Sequence, residues 1–95
     1  MKIPEIRLIP NPETTEAKEA IGFKYNDEVG NGHKLGGEPD FIQGDDDWPK
    51  CCGSKMTFYA QLDSIGDNYS IADCGMVYVF VCFDCFNSAS IVQSY

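Results

Sequence analysis

The sequence predicts a small, mainly β fold, an antiparallel meander with two cysteine-bearing hairpins and one short helical turn near the N-terminus. Three observations support this prediction. Residues 56–63 alternate between apolar and polar side chains, Met76–Val81 is a continuous apolar run rich in β-branched and aromatic residues, and Thr15–Ala20 is rich in helix formers. A chain of 95 residues has room for one core, so residues 1–95 are predicted to form a single domain.

The N-terminal region, residues 1–32, is predicted to contain short strands, turns and little else. Ile6–Leu8 alternates but lies between two prolines, which restricts it to an edge strand or an extended arm. Thr15–Ala20 follows a threonine suited to cap a helical turn, and Ile21–Tyr25 alternates as a strand would. Residues 26–40, with four glycines, form a predicted loop of a length that is typically functional or mobile.

The rest of the chain, residues 33–95, is predicted to be a cysteine-bearing β module. Its first strand would direct Met56, Phe58, Ala60 and Leu62 to the core and Thr57, Tyr59, Gln61 and Asp63 to water. Met76–Val81 lacks polar alternation, which predicts a central strand buried on both faces. Ala89–Gln93 returns as the last strand.

The five cysteines indicate a metal site more than a disulfide framework, since their number is odd. Cys82-Phe83-Asp84-Cys85 has the spacing that lets two thiolates reach one tetrahedral zinc ion at about 2.3 Å. A zinc-ribbon-like pair of hairpins needs a second such turn, and the candidate is Cys51-Cys52-Gly53, where Pro49 occupies the first ligand position. The predicted ligands are therefore Cys51, Cys52, Cys82 and Cys85.

Alternatives to that ligand set remain open. His33, the one histidine, is a substitute fourth ligand if the glycine loop folds back over the site. Another alternative is a site that no longer binds metal, in which the thiols pack as small hydrophobic groups. A thioredoxin-like redox role is disfavoured because CxxC follows a strand here and does not begin a helix.

The charge pattern excludes some function classes and favours one kind of partner. A net charge of −8 without a Lys/Arg cluster argues against nucleic-acid binding, and no apolar stretch reaches the roughly 18 residues of a membrane span. The N-terminus lacks an export signal, which predicts a cytoplasmic protein with reduced thiols. An acidic chain attracts a basic protein partner. The predicted partner-binding residues are Gly36, Gly37, Asp45, Asp46 and Asp47, and the oligomeric state stays open.

No residues have the spacing of a catalytic site, and none is predicted to be catalytic. His33 has no nucleophile beside it, and Asp45–Asp47 lacks the spacing of a calcium loop. The sequence therefore favours a non-catalytic, zinc-stabilised protein-binding module that holds a basic partner as an immunity protein or a chaperone does. Two alternatives are a metal-dependent enzyme with an open position on a Cys-ligated zinc, and a structural protein with a vestigial site.

Residues 33–95 also carry motifs that resemble a known family. Gly36-Gly37-Glu38-Pro39-Asp40-Phe41-Ile42-Gln43 and the ending at Cys82–Cys85 and Ile91–Ser94 resemble the YwqG-like family, domain of unknown function 1963. The resemblance implies a zinc ribbon within a β-rich domain, and the chain departs from it at Pro49 and at Phe86, where glycine is usual. A more distant likeness to programmed cell death protein 2 and its relatives implies chaperone-like binding of a basic protein.

Overall fold

The computed structural model describes residues 1–23 and 32–95, which form a five-stranded antiparallel sheet and a two-stranded hairpin. The predicted mainly β class is confirmed. The elements are β1 (Ile6–Arg7), α1 (Thr15–Ala20), β2 (Lys34–Leu35), β3 (Lys50–Cys51), β4 (Ser54–Lys55), β5 (Thr57–Asp63), a 3₁₀ turn (Asp67–Tyr69), β6 (Met76–Val81) and β7 (Ser88–Gln93). The sheet order is β1-β2-β5-β6-β7, and β3 pairs with β4. In the two described ranges, no helix is long and apolar enough to cross a membrane.

The N-terminal predictions are partly right. The edge strand and the helical turn are confirmed, and Thr14 Oγ1 caps α1 by accepting a hydrogen bond from the Ala17 N–H at 3.0 Å. The predicted strand Ile21–Tyr25 is wrong at residues 21–23. Ile21 is the C-cap of α1 and donates the last helical hydrogen bond to the Ala17 carbonyl, and residues 22 and 23 belong to no strand. The last two residues of the predicted strand lie outside the described residues, as do residues 26–31 of the predicted loop.

The glycine-rich region contains a strand that the sequence did not predict. Lys34 and Leu35 form β2, which pairs with β1 on one side and β5 on the other. The Lys34 side chain is only 4% exposed, and its amine lies 2.9 Å from Glu5 Oε1 and 3.1 Å from Asp40 Oδ2. Burial lowers the pKa of Lys34, but the hydrogen bonds to these two carboxylates outweigh it, so the pKa is raised. The two ion pairs of Lys34 therefore stabilise the fold at neutral pH, and their contribution is lost as the pH rises through the raised pKa of Lys34.

A β-bulge in β5 moves the side chains of its last residues to the face of the sheet opposite to the predicted one. Phe58 pairs with Phe80, but the next pair is Ala60 with Val79, so Tyr59 is an extra residue in its strand. One extra residue moves every later side chain to the opposite face. Gln61 and Asp63 are consequently buried, and Leu62 is 47% exposed. The prediction that Leu62 faces the core while Gln61 and Asp63 face water is wrong.

The core lies on one face of the sheet. Its buried side chains are Met56, Phe58, Met76, Tyr78, Phe80 and Cys82. The ring of Phe80 packs 5.7 Å from that of Phe58 and 5.4 Å from that of Trp48, between centroids. The central position of β6 is confirmed, since it pairs with strands on both sides. Its valines are half-buried, however, so the predicted burial on both faces holds fully for one face only.

Three buried polar side chains, Gln61, Tyr78 and Gln93, hold the segment Asp40–Gly44 over this core. They belong to three adjacent strands, β5, β6 and β7. Each accepts a hydrogen bond from a backbone N–H of the segment and donates one to a backbone carbonyl, at distances from 2.7 to 3.3 Å. Because a buried backbone polar group without a partner is costly, these side chains are what allow the segment to pack against the sheet.

The adjacent glycines Gly36 and Gly37 attach the N-terminal arm to the sheet. Both have positive φ, +64° and +70°, which favours glycine. The Gly37 N–H donates to the Ile3 carbonyl at 2.7 Å, and a Cβ built on Gly36 would collide with the carbonyl oxygens of Ile3 and Pro4. Gly36 is buried by these contacts within the chain. The predicted partner contact at these glycines stays a prediction.

We expect Gly36→Ala to lower the free energy of unfolding by about 2 kcal/mol, because it combines a left-handed backbone with a collision against the arm. Gly44→Ala is the matched control, since Gly44 also has positive φ, at +89°, but nothing lies within 4 Å of its Cβ position. Urea denaturation of both variants separates the two effects. Equal losses would show that the arm does not pack on Gly36.

Candidate metal centre

The first cysteine turn is the tip of the β3–β4 hairpin. Cys51 pairs with Ser54, so Cys52 and Gly53 are the two turn residues, with φ of +51° and +81°. Two successive positive φ angles are typical of a type I′ hairpin turn. Neighbouring side chains diverge in an extended strand, and the left-handed conformation of Cys52 removes that divergence. The two adjacent sulfurs therefore approach to 3.8 Å.

Trp48 fixes this hairpin to the core. Its indole Nε1–H donates to the Met56 carbonyl at 2.8 Å, and the Met56 N–H donates to the Pro49 carbonyl at 2.9 Å. The Lys55 amine lies 5.0 Å from the centre of the Trp48 ring. The Trp48 ring packs on Phe80, so these contacts hold the hairpin against the core cluster.

The second cysteine turn lies between β6 and β7. The Cys82 N–H donates to the Asn87 carbonyl at 2.8 Å, and the Phe86 N–H donates to the Cys82 carbonyl at 2.7 Å. Cys82 is buried in the core, while Cys85 is exposed. Asn87 Nδ2 also contacts the Cys51 sulfur, at 3.8 Å. Sequence reasoning missed Asn87, since no local pattern distinguishes it from an ordinary turn residue.

The four predicted ligands, Cys51, Cys52, Cys82 and Cys85, meet at one point. All four sulfurs lie within 4.8 Å of one another, and those of Cys51 and Cys85 are 3.5 Å apart. A tetrahedral zinc ion with Zn–S bonds of about 2.3 Å requires sulfurs about 3.8 Å apart. The cluster therefore has the dimensions of a four-thiolate metal site.

Of the three cysteines in the cluster whose pKa is shifted, Cys82 ionises most readily. The backbone N–H groups of Cys85 and Asp84 donate to the Cys82 sulfur and lower the pKa of that thiol to about 7. The pKa of Cys52 is raised to about 12, mainly by its hydrogen bond with Cys85. Four thiolates packed this closely repel one another, so a metal that binds them must displace protons.

His33, the alternative fourth ligand, lies outside the cysteine cluster. It is buried, its Nδ1 accepts a hydrogen bond from the Asp63 N–H at 3.0 Å, and its Nε2 is buried without a hydrogen-bond partner. Cys74, in the turn before β6, is also outside the cluster. Within residues 1–23 and 32–95, the four cysteines are the one group of His, Cys, Asp and Glu side chains close enough to hold a metal ion.

The acidic residues Asp45, Asp46 and Asp47 are exposed at a turn. The Trp48 N–H closes the turn by donating to the Asp45 carbonyl at 3.1 Å. The turn begins directly after Gly44, whose carbonyl accepts a hydrogen bond from Gln93 Nε2 at 2.8 Å. The acidic triplet therefore emerges beside the C-terminal end of β7.

Phe86, which follows the second cysteine turn, has φ of +62°. A left-handed conformation is costly for a side chain other than glycine, and this one is 73% exposed. We expect Phe86→Gly to raise the free energy of unfolding by about 1 kcal/mol, measured by urea denaturation, because glycine adopts this backbone conformation without strain. Phe86→Ala is the control because it removes the ring and keeps the Cβ. An equal gain from alanine would contradict the explanation.

Four cysteine ligands would leave no open coordination position for water or substrate, so an ion held by all four would occupy a structural site. It would tie the β3–β4 hairpin to the turn between β6 and β7. No protein-family model, no curated protein and no solved structure matches the chain.

Proposed function

We propose that the chain is a non-catalytic protein-binding module whose fold is stabilised by zinc bound to Cys51, Cys52, Cys82 and Cys85. The observation that carries the metal proposal is the approach of all four sulfurs to within 4.8 Å of one another. A tetrahedral set of four thiolates suits zinc, which needs no redox partner and imposes no other geometry. We propose a reducing cytoplasm as the location, since thiols stay free for metal there.

The small hairpin explains why a metal would be useful. Strands β3 and β4 have two residues each, and they form a sheet of their own. A two-stranded hairpin is marginally stable alone, and small domains often gain stability from a structural metal. Zinc–thiolate bonds would join this hairpin to the turn between β6 and β7.

Metal analysis tests the site. Protein purified without chelator is expected to contain one zinc per chain, and cobalt substitution to give the absorption bands of a tetrahedral thiolate complex. Cys52→Ser should weaken binding strongly, and Cys74→Ser, outside the cluster, should not. Undiminished binding by Cys52→Ser would favour the enzymatic alternative, with three ligands and an open position. A wild-type chain that binds no metal would favour the vestigial alternative.

The proposed partner is a basic protein. The net charge of −8 and the exposed aspartates 45–47 support this proposal, as does the distant likeness to programmed cell death protein 2 and its relatives. We also propose that residues 33–95 are related to the YwqG-like family, a likeness that concerns the fold and not the partner. Pull-downs at low salt are expected to recover basic proteins. Recovery should fall when Asp45, Asp46 and Asp47 become asparagine and persist when Glu13, Glu16 and Glu19 become glutamine, an equal change of charge at other exposed residues. Recovery of neutral or acidic proteins alone would refute it.

A further inference from the structure

The two edges of the five-stranded sheet differ in how they are protected. Strand β1 has two residues, includes Arg7 and lies between Pro4 and Pro10, all of which discourage pairing with another strand. Strand β7, Ser88–Gln93, has six residues without a proline or a charge. It pairs with β6 without any shift of register, so no bulge turns it away. Among residues 1–23 and 32–95, β7 is therefore the less protected of the two sheet edges.

The backbone of β7 is available on its outer side. In an antiparallel ladder, alternate residues point their N–H and C=O groups away from the paired strand. Half of the residues of β7 therefore present both groups outward, and no other strand in the described part of the chain pairs with them. An edge of this kind is a template for an added strand.

The side chains of β7 favour an added strand in which apolar and polar residues alternate. Ala89 and Ile91 are half-buried and pack against the core cluster, so apolar residues on that face of an added strand would extend the core. Ser90 and Val92 are exposed on the opposite face, where polar residues of an added strand would remain in water.

Charge selects among occupants of this edge. The acidic triplet, Asp45–Asp47, emerges beside the C-terminal end of β7 because Gln93 holds both the Gln43 N–H and the Gly44 carbonyl, each at 2.8 Å. A positively charged residue on an added strand would meet these aspartates. A second copy of the chain would bring another net charge of −8, which opposes pairing of β7 with itself.

We propose that the β7 edge binds an extended, lysine- or arginine-bearing segment of a protein partner, which adds to the sheet as its sixth strand. This rests on the proposed basic partner and specifies how that partner docks. Backbone hydrogen bonds to β7 supply affinity, and the acidic triplet supplies the preference for positive charge.

A designed peptide tests the docking mode on the full chain. The probe is a short capped peptide that alternates valine with lysine, and its control carries the same side chains with every backbone nitrogen methylated, so that neither edge can donate. NMR titration is expected to shift β7 resonances and slow exchange of its outward amides. The methylated peptide should bind at least about tenfold more weakly, since it cannot complete the ladder. The triple asparagine variant at 45–47 should weaken the probe more than the glutamine control at 13, 16 and 19.

The outcomes separate this proposal from the proposed function. Equal binding of both peptides would show that charge alone attracts them, which overturns docking at the edge and leaves the basic partner standing. Failure of the probe to protect β7 amides also overturns docking, whereas the pull-down tests the partner independently. A chain that sediments as a dimer, with β7 already protected, would place a second copy on the edge and overturn the proposal.

Discussion

The double variant Cys82→Ser/Cys85→Ser is expected to lose zinc and to lower the free energy of unfolding by more than about 4 kcal/mol. Serine keeps the size of the side chain but does not provide the thiolate that zinc prefers. Because the fold brings the four sulfurs together, the free energy of metal binding would contribute to folding. The β3–β4 hairpin would then lose its link to the turn between β6 and β7.

Urea denaturation with and without chelator measures this effect. Chelator should destabilise the wild-type chain and leave the double variant unchanged, which separates the metal from the burial of the Cys82 side chain in the core. Cys74→Ser, the same change at a half-buried cysteine outside the cluster, should cost about 1 kcal/mol and keep its response to chelator. A wild-type chain that is indifferent to chelator would refute a stabilising metal.

The candidate site was predictable where its signals are local. The spacing of Cys82 and Cys85 places both sulfurs at one turn whatever the rest of the chain does. Cys51 was predicted as a ligand because Pro49 could not be one, and the left-handed φ of Cys52 explains how adjacent cysteines converge. Whether His33 would join them depended on long-range folding, and the structure instead pairs it with the Asp63 backbone.

In the fold, too, elements set by their own residues could be predicted, and elements set by neighbouring strands could not. The pattern of Met76–Val81 reflects its own central position, so β6 was predictable. The two residues of β2 have no pattern of their own and become a strand because β1 and β5 lie on either side. The bulge at Tyr59 was hidden for a related reason: periodicity assumes a regular register, and one extra residue exchanges the faces of everything that follows.

Because the bulge turns Gln61 toward the core, the expected effect of Gln61→Leu on stability is opposite to the effect that the sequence pattern would predict. Gln61→Leu places an apolar residue at a fully buried position, yet we expect it to lower the free energy of unfolding by about 3 kcal/mol. Leucine has a similar volume but cannot make the three hydrogen bonds of Gln61, which join the Asp40 N–H, the Asp40 carboxylate and the Gly32 carbonyl. The loss also weakens the ion pair of Asp40 with Lys34.

Leu62→Gln is the matched reverse substitution at the next residue. Leu62 is 47% exposed, so its change to glutamine should alter the free energy of unfolding by less than about 1 kcal/mol. The uninterrupted alternation of residues 56–63 would give the opposite order, with Leu62→Gln the damaging change. Urea denaturation of the two variants therefore decides directly whether β5 contains the bulge.

The pKa of Asp40 provides a second readout of the Gln61→Leu variant. Burial raises this pKa, but hydrogen bonds from Gln61 and Lys34 outweigh burial and hold it below its ordinary value. Removal of the Gln61 amide should move the pKa upward in an NMR titration. Because a lowered carboxyl pKa stabilises the fold above the ordinary value and is lost as the pH falls, the variant should depend less on pH in acid than the wild type. An unchanged pKa would mean that Gln61 does not hold the Asp40–Gly44 segment in solution.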